Sequence, residues 1–208
     1  MNKDHEPGEQ KGLSFIEQAR RAQIVEAAGV TVAEVGYAQT SLARIADTAG
    51  ISKGVITYHF ATKDEILRMV ATQFFDNAWE YMEERIMAQD TAAGQLRAWL
   101  GAELEYFGTH RTEFLAMSDV VANHRGGDGS HAFVDEFEEE ITGLSDILSQ
   151  GQQEDQFREF ETRSVAKIIL RTIDGVLTSW ALDPTIDLPE QTLVLLDFID
   201  HAIRAEPS

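Results

Sequence analysis

Apolar residues recur at intervals of three and four along most of this chain, the spacing that lines one face of an α-helix. No stretch alternates apolar and polar residues as a strand would, and no segment repeats. Between Phe15 and Val35 the residues Ile24, Ala27, Ala28, Thr31 and Val35 share a face, and Ser14-Phe15-Ile16-Glu17 supplies a capping box at its start. Gly36-Tyr37 ends this helix. Two short helical patterns follow, Leu42–Ala49 and Lys53–Phe60, with a sharp break at Ala49-Gly50-Ile51-Ser52. Thr62-Lys63-Asp64-Glu65 reads as a second capping box and opens a long helix reaching roughly Met87. Further helices are predicted over Ala92–His110, Thr112–His124, Ala132–Gln152, Thr162–Leu182 and Pro189–Ala205. The breaks between them include His110-Arg111, Gly126-Gly127-Asp128-Gly129 and Asp183-Pro184-Thr185.

The expected fold is all-α. Residues 1–12 read as a disordered polar tail, 13–61 as a three-helix head, and 62–208 as a helical body joined to the head by the long helix. The last two helices bear on assembly. Val165, Ile168, Ile169, Thr172, Ile173, Val176, Leu177 and Trp180 form one broad apolar face. In the final helix Leu193, Val194, Leu195, Leu196, Phe198, Ile199 and Ile203 cover more than one face. Such a helix is either central to its own core or shared with a second subunit. The second reading is preferred, with Ile169, Ile173, Leu177, Leu195, Phe198 and Ile199 as the expected dimer interface.

The two short helices have the layout of a helix-turn-helix, whose second helix can enter the major groove of DNA. A net charge of −19 at first opposes that reading. Its distribution does not, because residues 1–70 carry a net −1 and residues 71–208 a net −18. Within 40–63, Arg44, Lys53 and Lys63 face only Asp47. An acidic body would repel phosphate and should point away from the duplex.

Residue types in this segment suit the task. Gly50 tolerates the left-handed backbone that a tight turn needs. Ile45, Ala46 and Ala49 allow close packing, Ile51, Ile56 and Phe60 fill the wedge, and Ser52 is placed as an N-cap. Lys53, Gly54, Val55, Thr57, Tyr58 and His59 then form the outer face and ends of the recognition helix. Lys53 suits phosphate or guanine, Gly54 permits close approach, and Val55 and the Thr57 methyl suit thymine methyls. Thr40 and Ser41 begin the preceding helix, whose free amides offer a phosphate seat, and Lys63 is placed to reach the same backbone.

Residues 24–67 resemble the DNA-binding region of the tetracycline-repressor (TetR) family of bacterial transcriptional regulators. The matching pieces are Ile24 with Ala27-Ala28, Gly36-Tyr37, Thr40-Ser41, Ile45-Ala46, Ala49-Gly50-Ile51-Ser52-Lys53-Gly54, Tyr58-His59-Phe60 and Lys63-Asp64-Glu65-Ile66-Leu67. Two places depart from the family pattern. The family often has Tyr where this chain has Thr57, which leaves open whether Thr57 or Tyr58 reads a base. It also often has Leu-Phe in place of Thr31-Val32. The resemblance implies a homodimeric repressor on a pseudo-palindromic double-stranded DNA operator, released when a small-molecule effector enters the body. It implies no cofactor, no metal and no membrane partner.

An effector site in this family generally lies among aromatic and flexible apolar residues of the body. Trp79, Met82, Trp99, Phe107, Phe114, Met117, Phe133, Phe137 and Trp180 are the candidates, and ordinary core is the plain alternative for each. Asp135-Glu136 and Glu138-Glu139-Glu140 read as a solvated helix face. With no cysteine, no HExxH and no glycine-rich phosphate loop after a strand, an enzyme is not expected. His124, Asp128 and His131 are more simply polar loop residues than metal ligands. No apolar run is long enough to cross a bilayer and the N-terminus lacks a signal-peptide core, so a cytoplasmic location is expected. A helical interaction protein without sequence choice is the remaining alternative.

Overall fold

The computed structural model describes residues 14–126, 132–183 and 185–205. The expected disordered tail, Gly127, Asp128, Gly129, His131 and Pro184 lie outside the described residues. The described chain is built from α1 (Phe15–Val35), α2 (Leu42–Ala49), α3 (Lys53–His59), α4 (Lys63–Met87), α5 (Ala92–Thr109), α6 (Arg111–Asn123), α7 (Val134–Gln153), α8 (Thr162–Leu182) and α9 (Leu188–Ile203). Among the described residues no strand forms, although an isolated antiparallel bridge joins Phe157 to Arg204. The all-α expectation stands.

Local chemistry sets the helix ends. Ser14 and Glu17 complete the capping box at α1, each satisfying the other's backbone amide. At α4 only half of the expected box exists. Thr62 accepts from the Glu65 amide, but the Glu65 carboxylate turns to the Ala61 amide at 3.0 Å and to Arg21 at 3.0 Å. The pull of the half-buried Arg21 guanidinium on α1 redirects it. Gly36 stops α1 at φ 82°, and Gly50 stops α2 in the left-handed region at φ 65°. The Ile51 amide then reaches back to the Ala46 carbonyl at 3.0 Å, which also accepts from the Gly50 amide, so the last turn of α2 is closed.

One apolar core runs from Ile24 on α1 to Ile203 on α9. Helix α4 packs on α1 at its head end and on α5 and α6 in the body. Helix α1 also packs along α6, so head and body touch laterally as well as through α4. The joint is polar where α1 ends. Asp119 on α6 accepts from the Tyr37 amide at 2.6 Å, and the Tyr37 hydroxyl shares a hydrogen bond with His124 Nδ1 at 3.2 Å. The far end of the body is closed by the α7–α8 connection. There Arg158 donates its amide to the Ile203 carbonyl at 2.9 Å, and Ala205 donates to Gln156 at 3.0 Å.

That connection depends on a missing side chain. Phe157 is buried and its ring lies directly on Gly151 of α7, where a Cβ would fall inside the ring's van der Waals surface. Gly151→Ala is expected to destabilise the protein by about 1–3 kcal/mol in urea denaturation, the usual cost of overpacking a core. Gly101→Ala, a helical glycine with open space around it, is the control and should stabilise by roughly 0.5–1 kcal/mol.

Candidate functional site

Helix α3 presents two kinds of surface. Ile56 and the capping residue Phe60 are buried against the head core, while Ser52, Lys53, Gly54, Thr57 and Tyr58 are exposed and Val55 and His59 half-buried. Tyr58 is 75% exposed and its ring meets His59 edge-on at 4.9 Å. Thr57 donates its hydroxyl to the Gly54 carbonyl at 3.1 Å, which uses its one proton within the helix. Ser52 occupies the N-cap position, but its hydroxyl makes no capping bond. The free amides of α3 are therefore open to an outside acceptor.

The residues around the start of α2 divide differently from expectation. Ser41 caps α2 by accepting from the Arg44 amide, and Arg44 itself is exposed. Thr40 is only 3% exposed, and its hydroxyl is used on the Gly36 carbonyl at 2.8 Å. Its side chain faces the core and cannot meet phosphate. Lys63 is half-buried, donates to the Thr40 carbonyl at 3.3 Å and lies 5.0 Å from the Tyr37 ring centre.

Arg21 and Gln23 on α1 were not singled out from the sequence, yet they hold the turn unit in place. The Arg21 guanidinium donates to the His59 carbonyl at the end of α3, pairs with Glu65 and stacks 3.9 Å over the Phe60 ring. Gln23 donates to the Ala49 carbonyl at the end of α2 at 3.0 Å. Adjacent polar residues within an amphipathic helix were the available signal, but charge at a helix surface is too common to be decisive.

In the body the expected effector residues separate into three groups. Phe107, Phe114 and Trp180 gather with Phe74, whose ring centre is 4.9 Å from that of Phe107. Phe137 sits with Phe75 and Phe133 instead. Trp79 and Trp99 meet edge-on at 5.5 Å, Trp99 buried and Trp79 45% exposed. Met82 and Met117 are buried in the core. A shallow, open depression lies elsewhere, between Ser149 and Thr162 at the α7–α8 turn.

The acidic run on α7 is not wholly solvated, which corrects the sequence reading. Asp135, Glu138 and Glu139 are exposed, but Glu136 and Glu140 follow the helical period of Phe133, Phe137 and Ile141 and turn inward. Burial pushes the Glu140 carboxyl up to about 7, and the neighbouring Asp174 adds to the rise. Glu103 on α5 is 5% exposed, and burial, with Glu140 and Asp174 nearby, holds its carboxyl well above the usual range. His124 is buried between Tyr37 and Phe133. No cluster of three or more metal-ligating side chains occurs among the described residues.

The expected dimer residues also need correction. Ile169, Ile173, Leu177, Leu195 and Ile199 are all buried within the single chain, and only Phe198 of that set is exposed. Their period is right, but it points to the chain's own core. The outward apolar surface of α8 and α9 is Ile168, Leu182, Leu193, Val194 and Phe198.

A short helix braced on a tight turn, with polar residues and a lysine on its outer face, defines a helix-turn-helix regulator that binds DNA. Residues 24–70 match the family described as bacterial regulatory proteins, tetR family. Over 189 residues it is 27% identical to the fatty acid metabolism regulator protein of Bacillus subtilis, covering 88% of this chain and 94% of that one. It is 28% identical over 142 residues to the transcriptional repressor KstR2 of Mycobacterium tuberculosis, covering 67% of this chain and 70% of the relative. Its fold matches that of the transcriptional regulator FadR from Bacillus subtilis in complex with stearoyl-CoA, with a TM-score of 0.77 at 24% identity over 88% of this chain and 99% of that one. No helix among the described residues is long and apolar enough to cross a membrane.

The buried acids give the body a signed pH response. A carboxyl whose folded pKa lies above its unfolded value binds its proton more tightly when folded, so its burial is most costly where it is ionised in both states. That cost is full above pH about 7 and fades as pH falls toward the unfolded value near 4.5. Stability is therefore expected to rise between pH 8 and pH 6, by on the order of 1–3 kcal/mol. Glu140→Gln should flatten that slope in melting curves, and an unchanged slope would place the titration elsewhere.

Proposed function

We propose that this chain is a homodimeric repressor that reads a pseudo-palindromic operator and leaves it when a small molecule occupies the helical body. The observation that carries the DNA-reading part is the division of α3 into a buried Ile56–Phe60 side and an exposed Lys53–Gly54–Thr57–Tyr58 side. Lys53 contacts phosphate or guanine, Gly54 lets the backbone approach, and Thr57 offers a methyl, since its hydroxyl proton is used within the helix. Tyr58, projecting furthest, takes the base contact. Ser41, Arg44 and the open amides of α3 supply backbone contacts, and Lys63 contributes charge behind them.

Pairing two such heads is supported by Ile168, Leu193, Val194 and Phe198, an outward apolar surface on adjacent helices with nothing of the same chain over it. Helix α4, with 25 residues, is about 37 Å long and spans head and body. Two recognition helices must sit about 34–36 Å apart, or a multiple of that, to enter successive major grooves. A small rotation of α4, transmitted also through α6 to Tyr37, spoils that spacing. The effector must favour one spacing over the other, or binding it shifts nothing. The names of the relatives, which include a fatty acid regulator and a complex with stearoyl-CoA, support a small molecule with an extended apolar part.

Selection of bound DNA from a random pool should enrich an inverted repeat. Lys53→Ala is expected to weaken binding evenly across sequences, whereas Tyr58→Ala should cost about 1–3 kcal/mol at particular positions of each half-site. Binding untouched by both changes would remove α3 from the interface. Phe198→Asp is expected to yield a folded monomer by sedimentation, while Ile199→Ala should lower thermal stability and leave the dimer intact. A dimer that survives Phe198→Asp would move the subunit contact to another face.

A further inference from the structure

One aromatic residue in the turn after α1 is held from three sides. The Tyr37 amide donates to Asp119 Oδ2 on α6 at 2.6 Å, and its hydroxyl shares a hydrogen bond at 3.2 Å with His124, buried at the end of the same helix. Asp119 is itself fixed, because its other oxygen accepts from Asn123 at 2.7 Å. Over the ring lies the Lys63 ammonium, 5.0 Å from the ring centre. Lys63 closes a loop by donating to the Thr40 carbonyl at 3.3 Å. Thr40 in turn directs its amide and its hydroxyl back to the Gly36 carbonyl, at 3.1 and 2.8 Å. The turn from Gly36 to Thr40 is thus a stiff piece that carries Tyr37 near one end and leads into the Ser41 cap of α2 at the other.

The placement of Lys63 calls for a compensating interaction. It is the first residue of a 25-residue helix, where the helix dipole disfavours a cation, and only Asp64 and Glu65 behind it suit that end. Holding a long side chain in one geometry also costs rotamer freedom. The Tyr37 ring and the Thr40 carbonyl offset both costs, and the carbonyl engages one of the three ammonium donors. The half-buried ammonium can therefore bind phosphate from the position in which it is held, on the same edge of the head as Ser41 and the exposed Arg44. None of these contacts involves α3, so the arrangement bears on the DNA backbone and not on the choice of base.

We propose that Tyr37 is a positioning residue for the phosphate contacts: pinned to α6 by Asp119 and His124, it fixes Lys63 and the start of α2 against the DNA backbone. This rests on the reading of the chain as a DNA-binding regulator and names the side chain that sets its grip on phosphate. Tyr37 acts through Lys63, so its loss changes affinity and the salt dependence of binding while sequence preference stays the same. The grip depends on α6, because both bonds that hold Tyr37 come from that helix.

The test is fluorescence anisotropy of a labelled duplex carrying the inverted repeat recovered by selection, titrated with full-length protein over a series of salt concentrations. Lys63→Met is expected to weaken binding about tenfold and to reduce the slope of log affinity against log salt by about one, the signature of one lost phosphate contact. Tyr37→Leu, with Lys63 still in place, should reproduce both changes, and the double variant should bind no more weakly than either single variant. Tyr37→Phe keeps the ring beneath the ammonium and should retain the parent's slope. Asp119→Ala frees the Tyr37 amide without touching the ring and should also lower the slope; it carries the test if Tyr37→Leu melts too low to be measured. Melting curves verify that each variant is folded, and base preference within each half-site should not change. A parent-like slope in Lys63→Met, Tyr37→Leu or Asp119→Ala, or losses that add in the double variant, would overturn the proposal. An enriched inverted repeat alongside any of those results sinks the role of Tyr37 alone, whereas no preferred DNA sequence sinks the regulator reading on which it rests.

Discussion

A seven-residue helix cannot hold itself together in water, since about two turns hardly recover the cost of nucleation. The recognition helix α3 therefore exists, and points where it does, through its packing on α2 and α1 and the tie that Arg21 makes to the start of α4. Ile56 and Phe60 anchor its inner side in the head core. Arg21 closes its end, neutralising the exposed carbonyl of His59 while stacking on Phe60 and pairing with Glu65 at the start of α4. A cation at a helix C-terminus also opposes the helix dipole favourably. DNA reading is thus a property of the α1–α3–α4 junction, and the exposed side chains of α3 are only its outermost part.

That dependence makes the head responsive to the body. Helix α4 is continuous from the junction into the packing against α5 and α6, and α1 lies along α6. At the same seam a carboxylate on α6 holds the backbone where α1 stops, through the Asp119 contact to the Tyr37 amide. Gly36 leaves its Cβ position 3.5 Å from that carboxylate, so the turn and the acid fit closely. A shift of α6 relative to α4 must either carry the head along or break a short hydrogen bond. Packed interfaces of this kind have discrete arrangements and deform little between them, which is how a small displacement in a core becomes a change in spacing between heads.

Features determined by a few neighbouring residues were legible in the sequence. The Ser14 box and the Gly36 and Gly50 stops are all local, and each forms. What failed was orientation. Thr40 has the right residue type for a phosphate contact, but α1 ends beside it and takes its hydroxyl. Ile169, Ile173, Leu177, Leu195 and Ile199 have helical period, and period does not say which apolar stripe faces the chain's own core. Where a helix carries two stripes, only the packing of its neighbours decides, and that information is spread over the whole chain. Arg21 shows the converse, a surface-type residue whose importance lies in partners 38 and 44 positions away.

The acids make the same point about charge. Summed along the sequence, the body's net −18 reads as one solvated surface facing away from phosphate, and for most of its carboxylates that holds. Glu103 and Glu140 are the exceptions because each sits at a helical position whose neighbours are aromatic or aliphatic. Burial raises both carboxyls above the usual range, so a proton cancels their charge more readily than that of an exposed carboxylate. The body therefore combines a fixed external field with an internal charge that a proton can neutralise. Neutralising it removes a cost localised where α5, α7 and α8 meet, and α5 also packs on α4, the helix that reaches the head. A change in that internal charge accordingly acts on the same set of helices that sets the position of α3.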